Sequence, residues 1–240
     1  MGSLYDEALT AFRVGKTTEA RQLSELALER ARADRSAAAE VDALCMLARV
    51  ALREGKFERV AATAEEAAVV ARNAGESKLQ RMPLHMQAAA ARMLHDYASA
   101  RRLYLESIHL NTLLGDERMV TAELRNLAYV ELHDGQRERA TELFGRAKAG
   151  ARRLHFDALT PYLISDAAAV AYADGDPERA ARLLGAAQSA FSAAQQVPNP
   201  DDAAELDWLN AKLANALGDD RFRAARASGA SLGPEDVLGG

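Results

Sequence analysis

The amino-acid sequence predicts an all-α fold, a right-handed α-solenoid of about six helix–turn–helix repeats. Alanine accounts for 53 of the 240 residues and proline for only 6, and alanine has the highest helix propensity of all residues. Aromatic residues make up 5% of the chain, so we expect the core to form by close approach of helices rather than around large rings. A short pattern also returns every 40 residues, which is the sequence signature of a repeat architecture.

The 40-residue pattern is clearest around one turn in each repeat. The matching segments are VGKTTEA (14–20), EGKFERV (54–60), LHDYASA (94–100), DGQRERA (134–140) and DGDPERA (174–180). Their second position holds glycine in four repeats, and glycine readily adopts the left-handed conformation that ends a helix. His95 takes this place in the third repeat, and histidine tolerates positive φ better than most residues. Each repeat is therefore predicted to contain two helices that meet at this turn, and Pro161 and Pro177 stand where helix first turns begin.

Small residues recur at further positions of the repeat, where paired helices would approach closely. Position 8 holds Ala8, Ala48, Ala88, Ala128 and Ala168, position 20 holds Ala20, Val60, Ala100, Ala140 and Ala180, and position 27 holds Ala27, Ala67, Ser107, Ala147 and Ala187. The repeat also explains Gly15-Lys16-Thr17, which matches the end of a phosphate-binding loop. Such a loop requires a glycine five residues before Gly15, where Thr10 stands, so the triplet is predicted to be an interhelix turn.

The small residues at positions 8, 20 and 27, with an apolar residue at position 4, resemble the spacing of the tetratricopeptide repeat over nearly the whole chain. The resemblance implies a solenoid of helix pairs with a concave groove lined by the first helix of each repeat. The period is 40 residues rather than about 34, and position 11 holds alanine or Glu131 where the family has a bulky residue. A period near 40 also suits HEAT or armadillo repeats, so this alternative stays open.

The C-terminal part of the chain resembles one particular group of tetratricopeptide domains. The segments AARLLGAAQSAF (180–191), VPNPDDAAEL (197–206) and LGDDRFRAARASGASLGPEDVL (217–238) resemble the end of long-period tetratricopeptide domains. These domains occur in bacterial MalT-like and large LuxR-type transcriptional regulators and in related ATPase-linked regulators. The resemblance implies a domain that senses signals for a DNA-binding or NTPase module, and neither module is recognisable in these 240 residues.

The predicted organisation has three parts. Residues 1–3, Met-Gly-Ser, look like a remnant of expression cloning, and residues 4–228 are expected to form the solenoid. Its repeats are expected at about 1–40, 41–80, 81–120, 121–160, 161–200 and 201–228. A three-residue insertion around QVPNPDD moves the turn of the sixth repeat to Gly218. Residues 229–240 are expected to be a loose C-terminal tail, because they are glycine-rich and lack periodicity.

In the tetratricopeptide register, positions 2, 5, 9, 12 and 13 of each first helix face the groove. The candidate ligand-binding residues are Arg49, Arg53, His85, Arg92, Arg125, Tyr129, His133, Tyr172, Trp208 and Lys212. This set is basic and aromatic although the net charge of the chain is −5, so it suits an acidic extended peptide whose carboxylates pair with arginine. The alternative is a solvated face whose arginine stems cover apolar neighbours. Charge reversal at Arg92 and Arg125 is expected to abolish binding without unfolding the chain.

Other classes of function have little support in the sequence. The acidic net charge argues against direct nucleic-acid binding, which needs a basic surface, and no apolar run is long enough to span a membrane. The single cysteine, Cys45, excludes an intramolecular disulfide and fits a reducing, cytoplasmic setting. The five histidines form no spaced ligand motif. A metal shared by Cys45, His85 and His133 is conceivable, but unrelated groove residues are the simpler interpretation. We expect no cofactor, no metal and no catalysis.

The sequence thus predicts a non-enzymatic regulatory or sensor module that binds a peptide, a protein segment or a small anionic effector in its groove. Binding would change the curvature or rigidity of the stack and pass this change to an attached or partner module. The alternative is a self-assembling scaffold or adaptor that forms a homodimer through its terminal repeats, which light scattering would detect. The carboxylate clamp of chaperone adaptors, with Lys and Asn at positions 5 and 9, is absent from these repeats.

Overall fold

The computed structural model describes residues 3–239, and within this range it contains thirteen α-helices, two short 3-10 helices and no strand. The α-helices are α1 (Leu4–Arg13), α2 (Thr17–Ala33), α3 (Ala37–Arg53), α4 (Phe57–Ala74), α5 (Arg81–Met93), α6 (Tyr97–Leu113), α7 (Glu117–His133), α8 (Arg137–Arg153), α9 (Thr160–Ala173), α10 (Pro177–Ala193), α11 (Pro200–Leu217), α12 (Asp219–Gly229) and α13 (Pro234–Leu238). The 3-10 helices, Ser77–Gln80 and Asp157–Leu159, precede α5 and α9. The predicted all-α fold is confirmed.

The start of the chain was predicted to be a cloning remnant. Met1 and Gly2 lie outside the described residues, as does Gly240. Ser3 is the N-cap of α1, where its Oγ accepts a hydrogen bond from the Asp6 backbone N–H at 3.2 Å. The Asp6 carboxylate in turn accepts from the Ser3 N–H and Oγ–H, so this end of α1 has a reciprocal capping box.

The chain forms two compact units, which we call the N-terminal unit (Met1–Gly135, helices α1–α7) and the C-terminal unit (Gln136–Gly240, helices α8–α13). In the N-terminal unit each helix packs against the next one along the chain. First helices of neighbouring repeats also touch, since α1 contacts α3 and α3 contacts α5. In the C-terminal unit, α10 packs extensively on both α9 and α12.

The turns between helices recur every 20 residues rather than every 40. One residue of each turn has positive φ, and these residues are Gly15, Arg35, Gly55, Gly75, His95, Gly115, Gly135, His155, Gly175 and Gln195. In most of these turns the next residue's N–H donates to a carbonyl five residues earlier, as from Lys16 to Ala11 at 2.9 Å and from Ser36 to Ala31 at 2.9 Å, which is the Schellman motif. The predicted turns at 15, 55, 95, 135 and 175 are confirmed. Gly15-Lys16-Thr17 indeed joins α1 to α2.

The turns between one repeat and the next were not predicted. Their left-handed position holds glycine only at Gly75 and Gly115 and other residues at Arg35, His155 and Gln195, so the signal was too irregular to be recognised. The two helices of the fourth repeat, α7 and α8, nevertheless have 17 residues each. The 40-residue repeat therefore consists of two 20-residue helix-and-turn modules.

Replacing His155 by glycine is expected to raise the free energy of unfolding by about 0.5–1 kcal/mol. Residue 155 has a φ of 47°, a conformation in which a Cβ atom carries a steric cost that glycine avoids. The reverse change, Gly55→His at a φ of 70°, should lower it by a similar amount. An added Cβ at Gly55 would meet no atom within 4 Å, so only the backbone conformation is tested there. Urea denaturation followed by circular dichroism measures both, and a less stable His155→Gly variant would show that His155 carries no such strain.

The small-residue positions of the repeat lie in the core, as predicted. All five alanines at position 8 are completely buried, and the residues at position 20 are at most 1% exposed. At position 27 only Ala27 is half-buried, and the other four residues are buried. Side chains this small let the backbones of neighbouring helices approach closely, so dispersion contacts replace the large rings that the sequence lacks.

The end of the C-terminal unit departs from the regular stacking. Gly218 has a φ of 77° and separates α11 from α12, where the turn of a sixth repeat was predicted. However, α12 rather than α11 makes the tight contact with α10, because two glycines lie at their crossing. A Cβ atom added to Gly185 would lie 2.0 Å from the Arg226 carbonyl oxygen, and one added to Gly229 would lie 1.8 Å from the Arg182 carbonyl oxygen.

Residues 229–240, expected to form a loose tail, include α13. The Gly233 N–H donates to Asp236 Oδ2 at 2.8 Å and so caps this short helix. The half-buried side chains of Leu232, Val237 and Leu238 pack against a buried cluster on α9 and α10. The tail thus returns to the body of the C-terminal unit.

Candidate binding site

The predicted groove residues of the first four repeats lie on α1, α3, α5 and α7 of the N-terminal unit. We call the side chains at positions 2, 5, 9, 12 and 13 of these helices the first-helix face. Contacts link its members from one repeat to the next: Arg53 of α3 reaches Phe12 of α1, and His85 of α5 reaches Glu123 of α7. The four helices therefore form one continuous row, although their side chains differ greatly in exposure.

A basic and aromatic patch lies at the α1–α3 end of this face. We call it the Arg49 patch and define it as Tyr5, Arg13 and Arg49. Burial raises the pKa of the Tyr5 hydroxyl, the positive charges of Arg49 and Arg13 oppose this rise, and the negative charge of Asp42 adds to it, so all three charged groups lie within electrostatic reach of the hydroxyl. Arg49 is half-buried and Arg13 is exposed. Neither takes part in a hydrogen bond or an ion pair within the part of the chain that the structure describes.

Asp42 and Cys45 adjoin the Arg49 patch. Burial raises the pKa of the Asp42 carboxyl, and the charges of Arg81 and Arg49 act against this. Burial also raises the pKa of the Cys45 thiol to about 12, so the thiol is protonated at neutral pH and is a poor nucleophile and metal ligand. Cys45 is thus a core residue, 3% exposed, and Asp42 places a carboxyl group within electrostatic reach of Arg49.

Arg53 stabilises the junction between the first two repeats. Its Nη1 donates to the Phe12 carbonyl oxygen at 2.5 Å, near the C-terminus of α1, where carbonyl groups lack helical partners. Its guanidinium carbon also lies 3.7 Å from the centroid of the Phe12 ring, a cation–π contact. Arg53 was predicted to bind a ligand, and in the structure its guanidinium group contacts Phe12 of α1 in these two ways.

Three other predicted residues are buried between α5 and α7. Arg92 is 1% exposed, and Arg125 and Tyr129 are each 3% exposed. The guanidinium carbons lie 5.7 Å (Arg92) and 5.3 Å (Arg125) from the centroid of the Tyr129 ring. Reversing these charges would place carboxylates in the interior, at a cost of several kcal/mol. The charge-reversal experiment expected to leave the fold intact would therefore test folding rather than binding.

His85 is the exposed edge of a buried polar network that sequence reasoning missed. Its Nδ1 lies 3.1 Å from both carboxylate oxygens of Glu123, which is completely buried. Glu123 also accepts hydrogen bonds from Ser107 Oγ at 2.6 Å and Asn126 Nδ2 at 3.0 Å. Burial is the largest single effect and raises the pKa of Glu123, but His85, Ser107 and Asn126 together hold the pKa below its ordinary value. A serine at position 27, where the other repeats have alanine, was the available signal.

A second buried carboxylate, Glu131, occupies position 11 of the fourth repeat. It accepts two hydrogen bonds from Arg101, at 2.9 and 3.0 Å, and Arg101 also donates to Asp134 at 2.5 Å. These acceptors raise the pKa of the Arg101 guanidinium. The predicted residue His133 is half-buried nearby, and its ring stacks on Tyr97 with centroids 6.0 Å apart. Glu131 stands where the tetratricopeptide repeat has a bulky residue, but the sequence does not identify Arg101 of α6 as the partner of its carboxylate.

The remaining predicted residues belong to the C-terminal unit. Tyr172 and Trp208 are half-buried and form an edge-to-face pair with centroids 5.7 Å apart. Lys212 is exposed one helical turn after Trp208 on α11. The structure thus brings Tyr172 and Trp208 together and leaves Lys212 open to solvent.

Among residues 3–239, no group of three or more His, Cys, Asp or Glu side chains has an arrangement that would hold a metal ion. The described helices also include none that is both long and apolar enough to cross a membrane.

Comparison with known proteins supports the fold. No protein-family model and no curated protein matches this chain. The chain is similar to the crystal structure of BtubC (BKLC) from P. vanneervenii, with a TM-score of 0.59 and 19% identity, over 97% of this chain and 94% of that chain. It is also similar to a Rap protein complexed with competence and sporulation factor, with a TM-score of 0.59 and 13% identity, over 94% of this chain and 64% of that one. At such low identities the likeness establishes an all-helical repeat fold.

Proposed function

We propose that this chain is a regulatory protein-interaction module that binds an acidic, extended peptide or protein segment on the first-helix face of its N-terminal unit. The observation that carries the proposal is the Arg49 patch. Arg13 and Arg49 stand beside Tyr5 without a hydrogen bond or an ion pair among the described residues. A carboxylate that reaches them gains charge-assisted hydrogen bonds without first breaking an existing pair.

The surroundings of the patch support an extended ligand. The row of first helices continues through α5 and α7, where the half-buried side chains of Met82, Met93 and Leu132 offer apolar area between polar groups. Helical-repeat proteins commonly use such extended surfaces for binding. The Rap structure, which shares this fold, was determined in complex with the competence and sporulation factor.

The test compares two double variants that change the charge of the chain equally. Arg13→Glu/Arg49→Glu alters the patch, and Arg59→Glu/Arg102→Glu alters exposed arginines on the second helices α4 and α6. The probe is a fluorescein-labelled decapeptide of alternating Glu and Ser, with the Gln and Ser peptide as its neutral counterpart. We expect the patch variant to raise the Kd for the acidic peptide about tenfold, since two exposed charge pairs contribute roughly 1–2 kcal/mol.

Fluorescence anisotropy at low ionic strength measures the affinity of the parent chain and of each double variant for both peptides. The control variant should bind within about twofold of the parent chain, because only the distribution of charge differs. Equal weakening in both variants would show that the peptide responds to net charge and not to the patch. Unchanged binding in the patch variant would remove the first-helix face as the site.

We further propose that the module belongs to a cytoplasmic bacterial regulator of the MalT-like or large LuxR-type class. The support for this is the resemblance of the segments 180–191, 197–206 and 217–238 to the ends of such sensor domains. In this role, ligand binding would favour one arrangement of the repeats over another and so report to an attached or partner module.

A further inference from the structure

The tail of the chain packs on α9 and α10 and borders a groove between α8 and α9. Two cavities lined by residues of α8, of α9 and of the tail show the open space in this groove. Leu238 packs there against a buried cluster that includes Leu163 and Tyr162. Val237 and Leu238 are nevertheless only half-buried, because the segment rests on the groove from one side.

The groove is longer than the segment that occupies it. A cavity of 340 Å³ lies beside Pro234 and Glu235, between the C-terminal turns of α8 and the start of α9. A second cavity of 220 Å³ lies beside Val237, further along the same two helices near Phe144 and Gly145. The tail therefore fills the middle of a longer site and leaves room at both ends.

The two cavities differ in chemistry. The first is lined by two basic side chains, Lys148 and Arg152, and by the acidic Asp157, and burial together with the neighbouring charge of Arg152 lowers the pKa of Lys148. Glu235 of the tail lines the same cavity, and its side chain forms no hydrogen bond or ion pair among the described residues. The second cavity is lined mainly by apolar groups, including Phe144 and Val170. The groove thus offers positive charge at one end and apolar surface at the other.

We propose that the groove between α8 and α9 is a second peptide-binding site, whose ligand is a partner segment with two acidic residues followed by two aliphatic residues. Residues 233–238, with the sequence GPEDVL, occupy it as an exchangeable intramolecular ligand. Glu235 and Asp236 are the acidic pair, and Val237 and Leu238 are the aliphatic pair. This site lies within the C-terminal unit and is independent of the first-helix face, so either proposal stands if the other fails.

The first experiment releases the tail. The probe is a fluorescein-labelled synthetic peptide, SLGPEDVLG, which reproduces residues 231–239. Val237→Asp/Leu238→Asp in the full chain is expected to bind it with a Kd at least tenfold lower than the parent chain. In the parent, the tethered copy competes at high effective concentration. The matched control is Leu113→Asp/Leu114→Asp, which changes two exposed leucines of the N-terminal unit and should leave the Kd at the parent value.

The second experiment reverses the charge of the groove in the released variant. Lys148 and Arg152 line the cavity beside Glu235, so Lys148→Glu/Arg152→Glu should repel the acidic residues of the peptide. We expect this change to raise the Kd at least tenfold, whereas Arg59→Glu/Arg102→Glu, which alters the net charge equally at exposed arginines of the N-terminal unit, should stay within about twofold. Circular dichroism confirms that each variant is folded.

Three results would overturn the proposal. These are equal binding of the peptide by the parent and released chains, no binding by the released chain, and full binding by the Lys148→Glu/Arg152→Glu variant of the released chain. A parent chain that light scattering shows to be a dimer, and that Val237→Asp/Leu238→Asp converts to a monomer, would place the tail in the groove of a second copy and overturn intramolecular occupancy.

Discussion

Replacing Gly229 by alanine is expected to lower the free energy of unfolding of the C-terminal unit by about 3 kcal/mol, at the upper end of the usual cost of overpacking. The new methyl group would lie 1.8 Å from the carbonyl oxygen of Arg182. A backbone atom cannot turn aside as a side chain can, so α10 and α12 would have to separate. Their separation would loosen contacts along the whole crossing. Gly185→Ala should have a similar effect from the opposite side, because its methyl group would lie 2.0 Å from the Arg226 carbonyl oxygen.

Gly145→Ala is the matched control for this prediction. Gly145 is also a helical glycine of the C-terminal unit, but an added Cβ there meets open space. Alanine should therefore raise the free energy of unfolding by about 0.5–1 kcal/mol through its higher helix propensity. Urea denaturation of the three variants measures the difference. A Gly229→Ala chain as stable as the parent would show that α10 and α12 do not approach at these glycines.

His85→Leu is expected to lower the free energy of unfolding by about 3 kcal/mol at pH 7, the scale for breaking a buried charge pair. Glu123 is completely buried, and burial is the largest influence on its pKa. Without His85, the hydrogen bonds from Ser107 and Asn126 remain, but the neighbouring positive charge is lost. The free-energy cost of burying the ionised carboxylate would then be largely uncompensated.

The same variant should also respond to pH in a defined direction. In the parent chain the pKa of Glu123 is lowered, so its contribution to stability is present above the unfolded-state pKa and is lost as the pH falls through the folded-state value. In His85→Leu, burial should instead raise this pKa above its ordinary value. The folded state would then bind more protons than the unfolded state, and stability should increase as the pH falls from 7 to 5.

A second substitution isolates the contribution of Glu123. His85→Leu/Glu123→Gln removes the titrating group and keeps an acceptor for Ser107, so it should recover part of the lost stability and lose the gain on acidification. Glu106→Gln, at a carboxylate whose side chain is 59% exposed on α6, should change little. If the single and double variants followed the same pH dependence, Glu123 would not be the group responsible.

Much of the fold could be predicted because the relevant signals are local. The left-handed turns at Gly15 and His95 follow from residue types that tolerate positive φ. The burial of the alanines at position 8 could be predicted because the same small residue recurs there in every 40-residue repeat. The turns at Arg35 and Gln195 could not be predicted in this way, since the packing of the flanking helices imposes a left-handed conformation on residues that do not favour it.

The candidate site could be predicted only in part. Arg49 and Arg92 both stand at predicted groove positions of successive first helices, yet Arg49 is half-buried with no hydrogen bond or ion pair among residues 3–239, whereas Arg92 is 1% exposed. Glu123 and Glu131 are both completely buried, and the sequence did not predict burial of either carboxylate. The tail reads as a loose end, although Leu238 packs against the cluster around Leu163.

The sequence by itself determined the helical repeat, its turns and the small residues of its core, because helix periodicity and turn conformation depend on residues close together in the chain. Only the tertiary structure decided which polar side chains are buried, which arginines stay available for a ligand, and where the tail rests. Those properties depend on how closely different helices approach each other. The distance between two helices results from many side-chain contacts together, so no single position of the repeat determines it.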